Sequence, residues 1–215
     1  MQLVEQHIIS KTDPRFEAID QAAFLSKNLF NAANYLVRQS FILQNTYIPY
    51  AQLDKLMKCS PDYCALPRKV SQWVLRQLDQ DWRSFFAASR VTRENPTAFT
   101  GRPGLPHYKP KASGGNLLTY TIQADSPKGL KEGVIQPSGL AIEVPTHKSV
   151  QQVRIVPHKT HYTLEVVYEK SPQPAENLNP AWLAGMDIGL DNLATITANK
   201  PGFIPAVVNG RPLKS

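Results

Sequence analysis

Apolar positions recur at helical spacing before residue 95 and in alternation after it. Phe16, Ile19, Ala23, Phe30, Ala33 and Val37 fall on one side of a helical repeat, and Val70, Val74, Leu78, Trp82 and Phe85 form a second seam. The first pattern predicts a helix with Asp13 as its cap and Pro14 at its first position, where the missing N–H costs nothing, running to about residue 44. The second predicts a helix over about 67–93, with a shorter one near 51–58 between them and a strand over 3–9 in front. Downstream, β-branched runs predict strands over 117–122, near 140–144, and over 151–157 and 161–169. The last two form a hairpin whose residues alternate between a dry and a wet face. Residues 184–188, 193–197 and 205–208 predict a closing three-strand meander.

Backbone breakers divide the chain at the same place. All eleven glycines lie at or beyond Gly101, and fourteen of the eighteen prolines lie at or beyond Pro96, so helices come first and strands with turns follow. With 42% hydrophobic and 19% charged residues the composition is globular. No apolar run reaches the roughly 20 residues of a membrane helix, and the amino-terminal segment has no apolar signal core, so a cytoplasmic protein with no membrane partner is expected. Cys59 and Cys64 cannot supply four metal ligands; they read as buried or idle thiols, and no zinc site is expected. His147, His158 and His161 are scattered around turns and read as surface histidines.

Charge adds a direction. Twenty-four Lys and Arg against 17 Asp and Glu give a net charge of +7, a bias toward polyanions. Lys69, Arg76, Arg83 and Arg90 recur every seven residues, and at about 100° per residue they share a stripe that suits a row of phosphates. Asp79 stands at i+3 from Arg76 and i−4 from Arg83, so ion pairs within the helix explain the same pattern. The stripe Asn28, Asn31, Asn34 has two readings as well: amides offered to bases, sugars or a neighbouring backbone, or a solvated face or helix-to-strand contacts. The segment GRPGLPHYKPK holds Arg102, His107, Tyr108, Lys109 and Lys111 with no acid, on a backbone stiffened by proline. Cations beside an aromatic ring suit a nucleic-acid backbone with one stacked base; a Pro-rich spacer is the plainer alternative. Asp187 is a lone acid with two readings: an ordinary turn or strand-end acid, or an acid on a central strand, costly there unless paired, hydrogen-bonded or bound to a cation.

In order, LFNAANYLVRQ, ALPRKVSQWVLRQLDQDWRSFF, GRPGLPHYKPK, VRIVPHKTHYTLEVVYE, GMDIGLDNLATIT and NGRPLKS resemble the TnpB (OrfB) proteins of bacterial insertion sequences, which are relatives of compact type V CRISPR effectors. That family acts as an RNA-guided DNA endonuclease and is also described as a transposase. The resemblance implies an α+β fold: an antiparallel, barrel-like wedge domain over 1–10 and 96–175, a helical recognition insertion over 11–95, and the start of an RNase H-like (RuvC) domain over 180–215. It implies guide RNA and target DNA as partners and makes Asp187 the first metal-binding acid of a Mg²⁺-dependent site. It also implies that Lys69, Ser71 and Gln72, with Arg76 on the same helix, lie near duplex DNA, and that Arg102, Tyr108, Lys109, Lys111 and Arg154 contact RNA or heteroduplex. No ligand role is carried to Asp191. The second and third acids and the zinc ribbon of the family have no counterpart, so the chain is expected to bind nucleic acid without cutting it, to hold no Mg²⁺ tightly, and to need a complementary nuclease fragment for cleavage. The rival expectation is a non-catalytic regulatory or interaction module whose open sheet edge after Val208 pairs with a separate chain.

Overall fold

A computed structural model describes residues 1–110, 114–121, 133–146, 150–171, 179–189 and 192–209. The chain divides into two compact units, Met1–Lys170 and Ser171–Ser215.

In the first unit, strand β1 (Gln2–Ser10) leads into α1 (Phe16–Gln44), α2 (Tyr50–Met57), α3 (Pro61–Cys64) and α4 (Arg68–Glu94). Then follow β2 (Leu118–Thr121), β3 (Val134–Ile135), β4 (Val144–Pro145), β5 (Val150–Pro157) and β6 (His161–Glu169). The fold is mixed α+β with antiparallel pairing throughout. Four strands form an open sheet in the order β1-β6-β5-β2, and β3 and β4 make a separate ribbon. Among the described residues the expected barrel does not close, because β1 and β2 each pair on one side only.

Alternation along the strands puts Val166 and Leu164 of β6, Val153 and Ile155 of β5, and Leu118 and Tyr120 of β2 on the core face, each essentially without solvent exposure. Tyr162 continues that face toward α1. Its hydroxyl donates to Asp20 Oδ1 at 2.6 Å, its ring lies 5.4 Å from that of Phe16, and burial followed by the Asp20 bond raises its pKa. Gly115 allows β2 to enter tight against α1, since a Cβ there would meet the Ala23 Cβ at 2.4 Å.

The predicted seams become the buried helix faces. Ile19, Ala23, Phe30, Ala33 and Val37 of α1 and Val70, Val74, Leu78 and Trp82 of α4 are all in the core. Where the two helices meet, Phe41, Tyr47, Trp82, Phe85 and Phe86 make an aromatic cluster with tilted and edge-on pairs, ring centroids 5.1 Å apart for Tyr47 and Phe86 and 5.4 Å for Phe41 and Trp82. Asp79 of α4 secures the connection to α2. Its Oδ1 accepts the Tyr47 hydroxyl at 2.6 Å and the Tyr50 N–H, the first of α2, at 2.8 Å, while Oδ2 accepts Arg83 Nε at 2.7 Å. An orphan N–H of one helix is thereby satisfied from another.

Helix α1 starts two residues later than the sequence predicts. The expected Asp13 cap is not formed: Arg15 holds the cap position with no side-chain cap bond, and Asp13 instead takes the Arg15 N–H at 2.9 Å and the Arg15 guanidinium at 2.9 and 2.7 Å, which folds residues 13–15 into a turn before the helix begins. The 140–144 strand is also shorter than expected and pairs with β3, a two-residue strand that periodicity does not reveal.

The second unit is the expected meander: β7 (Ala184–Asp187), β8 (Asn192–Ala198) and β9 (Ala206–Asn209), antiparallel in the order β7-β8-β9. Its register gathers Ala184, Met186, Ile196, Ala198, Ala206 and Val208 on one face and Gly185, Asp187, Thr195, Thr197 and Val207 on the other.

Two outcomes follow for stability. The hydrogen bond from Arg15 holds the Asp13 carboxyl down from 3.8 to about 2, so its contribution is complete above the unfolded value and is lost as pH falls through the folded one. Asp13→Asn should therefore cost up to about 1 kcal/mol at pH 6, a partly solvated pair, and nothing below pH ~2, measured as the gap between the two denaturation curves. Asn34, fully buried, accepts Trp82 Nε1 at 3.1 Å and donates to Pro106 O at 3.0 Å. Asn34→Ala should lower unfolding free energy by about 2 kcal/mol by stranding the indole N–H, and an unchanged denaturation midpoint would contradict that role.

Candidate nucleic-acid interface

Residues 102–110 cross the α1–α4 pair as an extended strap, and side-chain amides of α1 hold it by its backbone. Asn31 accepts the Lys109 N–H at 2.8 Å and donates to Lys109 O at 3.0 Å, a two-bond clamp of the kind one strand gives another. One turn on, Asn34 and the Arg38 guanidinium both donate to Pro106 O, at 3.0 and 2.9 Å. Of the readings of the asparagine stripe, Asn31 and Asn34 follow the amides offered to a neighbouring backbone.

Because the anchors use main-chain atoms, several strap side chains stay free to face solvent. Arg102, His107 and Tyr108 are exposed, whereas Pro103, Leu105 and Pro106 are half-buried against the helices. The Arg38 guanidinium lies 5.2 Å from the centre of the Tyr108 ring, a cation–π contact beside an open aromatic face. Arg102 and Arg93 line a cavity of about 520 Å³ with Phe41, Phe85 and Leu105. Lys109 differs. It is half-buried with its ammonium 4.8 Å from the Phe30 ring centre, and its charge partly offsets the upward shift that burial imposes on Asp81. Lys111 lies outside the described residues.

The α4 stripe separates into individual roles. Lys69 is exposed at the first turn and Gln72 is half-buried. Arg76 is exposed and stacks against Tyr50 and Trp73, 4.9 and 5.3 Å from their ring centres. Arg83 is taken by Asp79, which is the intrahelical ion pair. Ser71 corrects its expectation of facing DNA: it is fully buried, and its hydroxyl donates to Tyr63 O at 2.8 Å. It shares the helix face of Val74, Leu75 and Leu78, so its polarity serves the α3–α4 junction.

Arg154 sits on the wet face of the four-stranded sheet. Its Nη2 is 2.8 Å from Glu165 Oε2, Gln6 donates to the other Glu165 oxygen at 3.2 Å, and Arg154 Nε is buried with no protein partner. The guanidinium lines a groove of about 530 Å³ together with Gln152, Thr121, Val4, Val167 and Trp73. Trp73 thus joins this groove to Arg76. Sequence reasoning passed over both Trp73 and Arg38. The signal was there: a tryptophan off the apolar seam of an amphipathic helix, and an arginine one turn beyond Asn34.

Asp187 ends β7 opposite Thr195 and is exposed. Among the described residues β7 pairs with β8 only, so Asp187 follows the strand-end reading and not the central-strand one. Among the described residues no group of three or more His, Cys, Asp or Glu is placed to hold a metal ion. Among the same residues, no helix is long and apolar enough to cross a membrane.

No protein-family model and no curated protein matches the chain. Among solved structures it is similar to a Cas12f1–sgRNA–target DNA complex determined by cryo-EM, at 8% identity and a TM-score of 0.37, the match covering 99% of this chain. The chain spans 58% of the length of that neighbour.

Proposed function

We propose that this chain binds guide RNA and target DNA as the amino-terminal portion of an RNA-guided, RuvC-type endonuclease of the TnpB kind, and that it does not cut DNA by itself. The observation that carries the reading is the division of labour along the strap: backbone atoms of Pro106 and Lys109 are spent on anchoring, while Arg102, His107 and Tyr108 project into solvent from a fixed rail. An anchored backbone that presents Arg102 and the His107 and Tyr108 rings suits a nucleic-acid strand, because a phosphate and one stacked base are met without ordering a loop. The net charge of +7 and the groove that joins Arg154, Trp73 and Arg76 support the same partner. In this reading Lys69 and Gln72 face duplex DNA, and Lys109 and Lys111 contact RNA or heteroduplex.

Asp187 is one of the acids that in the complete nuclease hold Mg²⁺ for phosphodiester hydrolysis. One carboxylate is fewer than a metal centre of that kind requires, which is why the isolated chain is assigned binding and not cleavage. A second reading is a non-catalytic interaction module. It is favoured by the apolar face of the second unit, where Met186 is 62% exposed and Val208 44%.

Charge and stacking make separable predictions with a single-stranded RNA and an RNA–DNA heteroduplex as probes. Arg102→Gln should reduce the slope of log affinity against log salt by about 0.7–0.9. Tyr108→Ala should weaken binding by about 1–3 kcal/mol and leave that slope unchanged. Affinities unaffected by both changes would remove the strap from the interface. Cleavage is tested by mixing the chain with a fragment that supplies the remaining acids. Magnesium-dependent cutting that Asp187→Ala abolishes is the expected result, and complex formation without cutting favours the interaction module.

A further inference from the structure

The two cysteines are not buried. Both are exposed and reduced, and both line one cavity of about 510 Å³ with Lys58, Tyr63, Leu66 and Arg68. Their spacing is set by the turn that opens α3. Ser60 is the cap of that helix, its Oγ accepting the Tyr63 N–H at 3.3 Å, and Pro61 takes the first helical position. Cys59 therefore stands immediately before the cap and Cys64 at the fourth helical position, the two places whose side chains meet across a capped helix start. In most proteins this pair is a hydrophobic staple; here both members are thiols. The Cys64 Sγ lies 3.6 Å from Lys58 O, the carbonyl of the peptide that leads directly into Cys59.

We propose that Cys59 and Cys64 form a reversible dithiol–disulfide site, oxidised by low-molecular-weight disulfides of the glutathione type. In the first step the thiolate of one cysteine attacks the external disulfide, forming a mixed disulfide and releasing one glutathione thiolate, which takes up a proton. In the second the other cysteine, having lost its own proton, attacks the protein sulfur of the mixed disulfide and expels the second glutathione. Two protein thiols and one external disulfide become one protein disulfide and two thiols, so atoms and electrons balance. Lys58 and Arg68 on the cavity wall suit the carboxylates of an oxidised glutathione. Closure converts the staple into a covalent one and fixes the turn bearing Tyr63, whose carbonyl accepts Ser71 of α4 and whose hydroxyl donates to Asp54 of α2.

The test treats the reduced full chain with oxidised glutathione, blocks free thiols, and digests it with trypsin, which cuts after Lys58 and Arg68 and releases both cysteines in one peptide. The expected peptide is lighter by two hydrogens and carries no glutathione, whereas Cys59→Ser and Cys64→Ser chains each retain one glutathione on the remaining sulfur. Closure in the folded chain should be at least about tenfold faster than in denaturant, because the turn holds the sulfurs together. Persistent adducts on both sulfurs, disulfides between chains, absence of reaction, or equal rates folded and unfolded would each overturn the proposal.

Discussion

One buried amide ties the first unit together. Asn34 has no exposure to solvent, yet it accepts from the Trp82 indole on α4 and donates to the Pro106 carbonyl on the strap, so three separate segments meet at a single side chain. A polar group in that position is tolerable only when its partners are in place, which makes its demands a constraint on all three segments. The aromatic cluster packs around Trp82, and Asn31 repeats the clamp three residues earlier. Rigidity of the strap is thus inherited from helices, not built into the strap.

That inheritance explains how the positive charge is distributed. Arg83 is held by Asp79, Lys109 is turned over Phe30, and Arg38 is split between the Pro106 carbonyl and the Tyr108 ring. These cations serve packing, and their intramolecular contacts reduce what they offer to a polyanion. Arg102, Lys69 and Arg76 remain on the surface. Sequence position alone therefore does not say which of the 24 Lys and Arg side chains are free to neutralise phosphates.

The second unit is governed by a different constraint. A three-strand meander with one apolar face gains little from burial by itself, and Met186, Ile188 and Val208 are exposed accordingly. Asp187 is exposed at the end of β7, where water solvates a carboxylate at small cost.

What the amino-acid sequence determined by itself was local. Breaker-free runs with helical apolar spacing specified α1 and α4, strict alternation specified the β5–β6 hairpin, and short β-branched runs specified the meander, because each signal is complete within a dozen or so residues. Elements of two to four residues, such as β3 and α3, hold too few positions to show a period. Tertiary structure alone decided which polar groups face inward. Ser71 reads as a surface serine until its neighbours Val74, Leu75 and Leu78 place it in the core, and the asparagine stripe suits a wet face as well as a backbone contact until the strap arrives from some seventy residues away. It also decided that Asp187 is exposed at a strand end and that two thiols share one turn surface. Hydrogen-bond partners distant in sequence leave no periodic trace, so their consequences become legible only when the chain is folded.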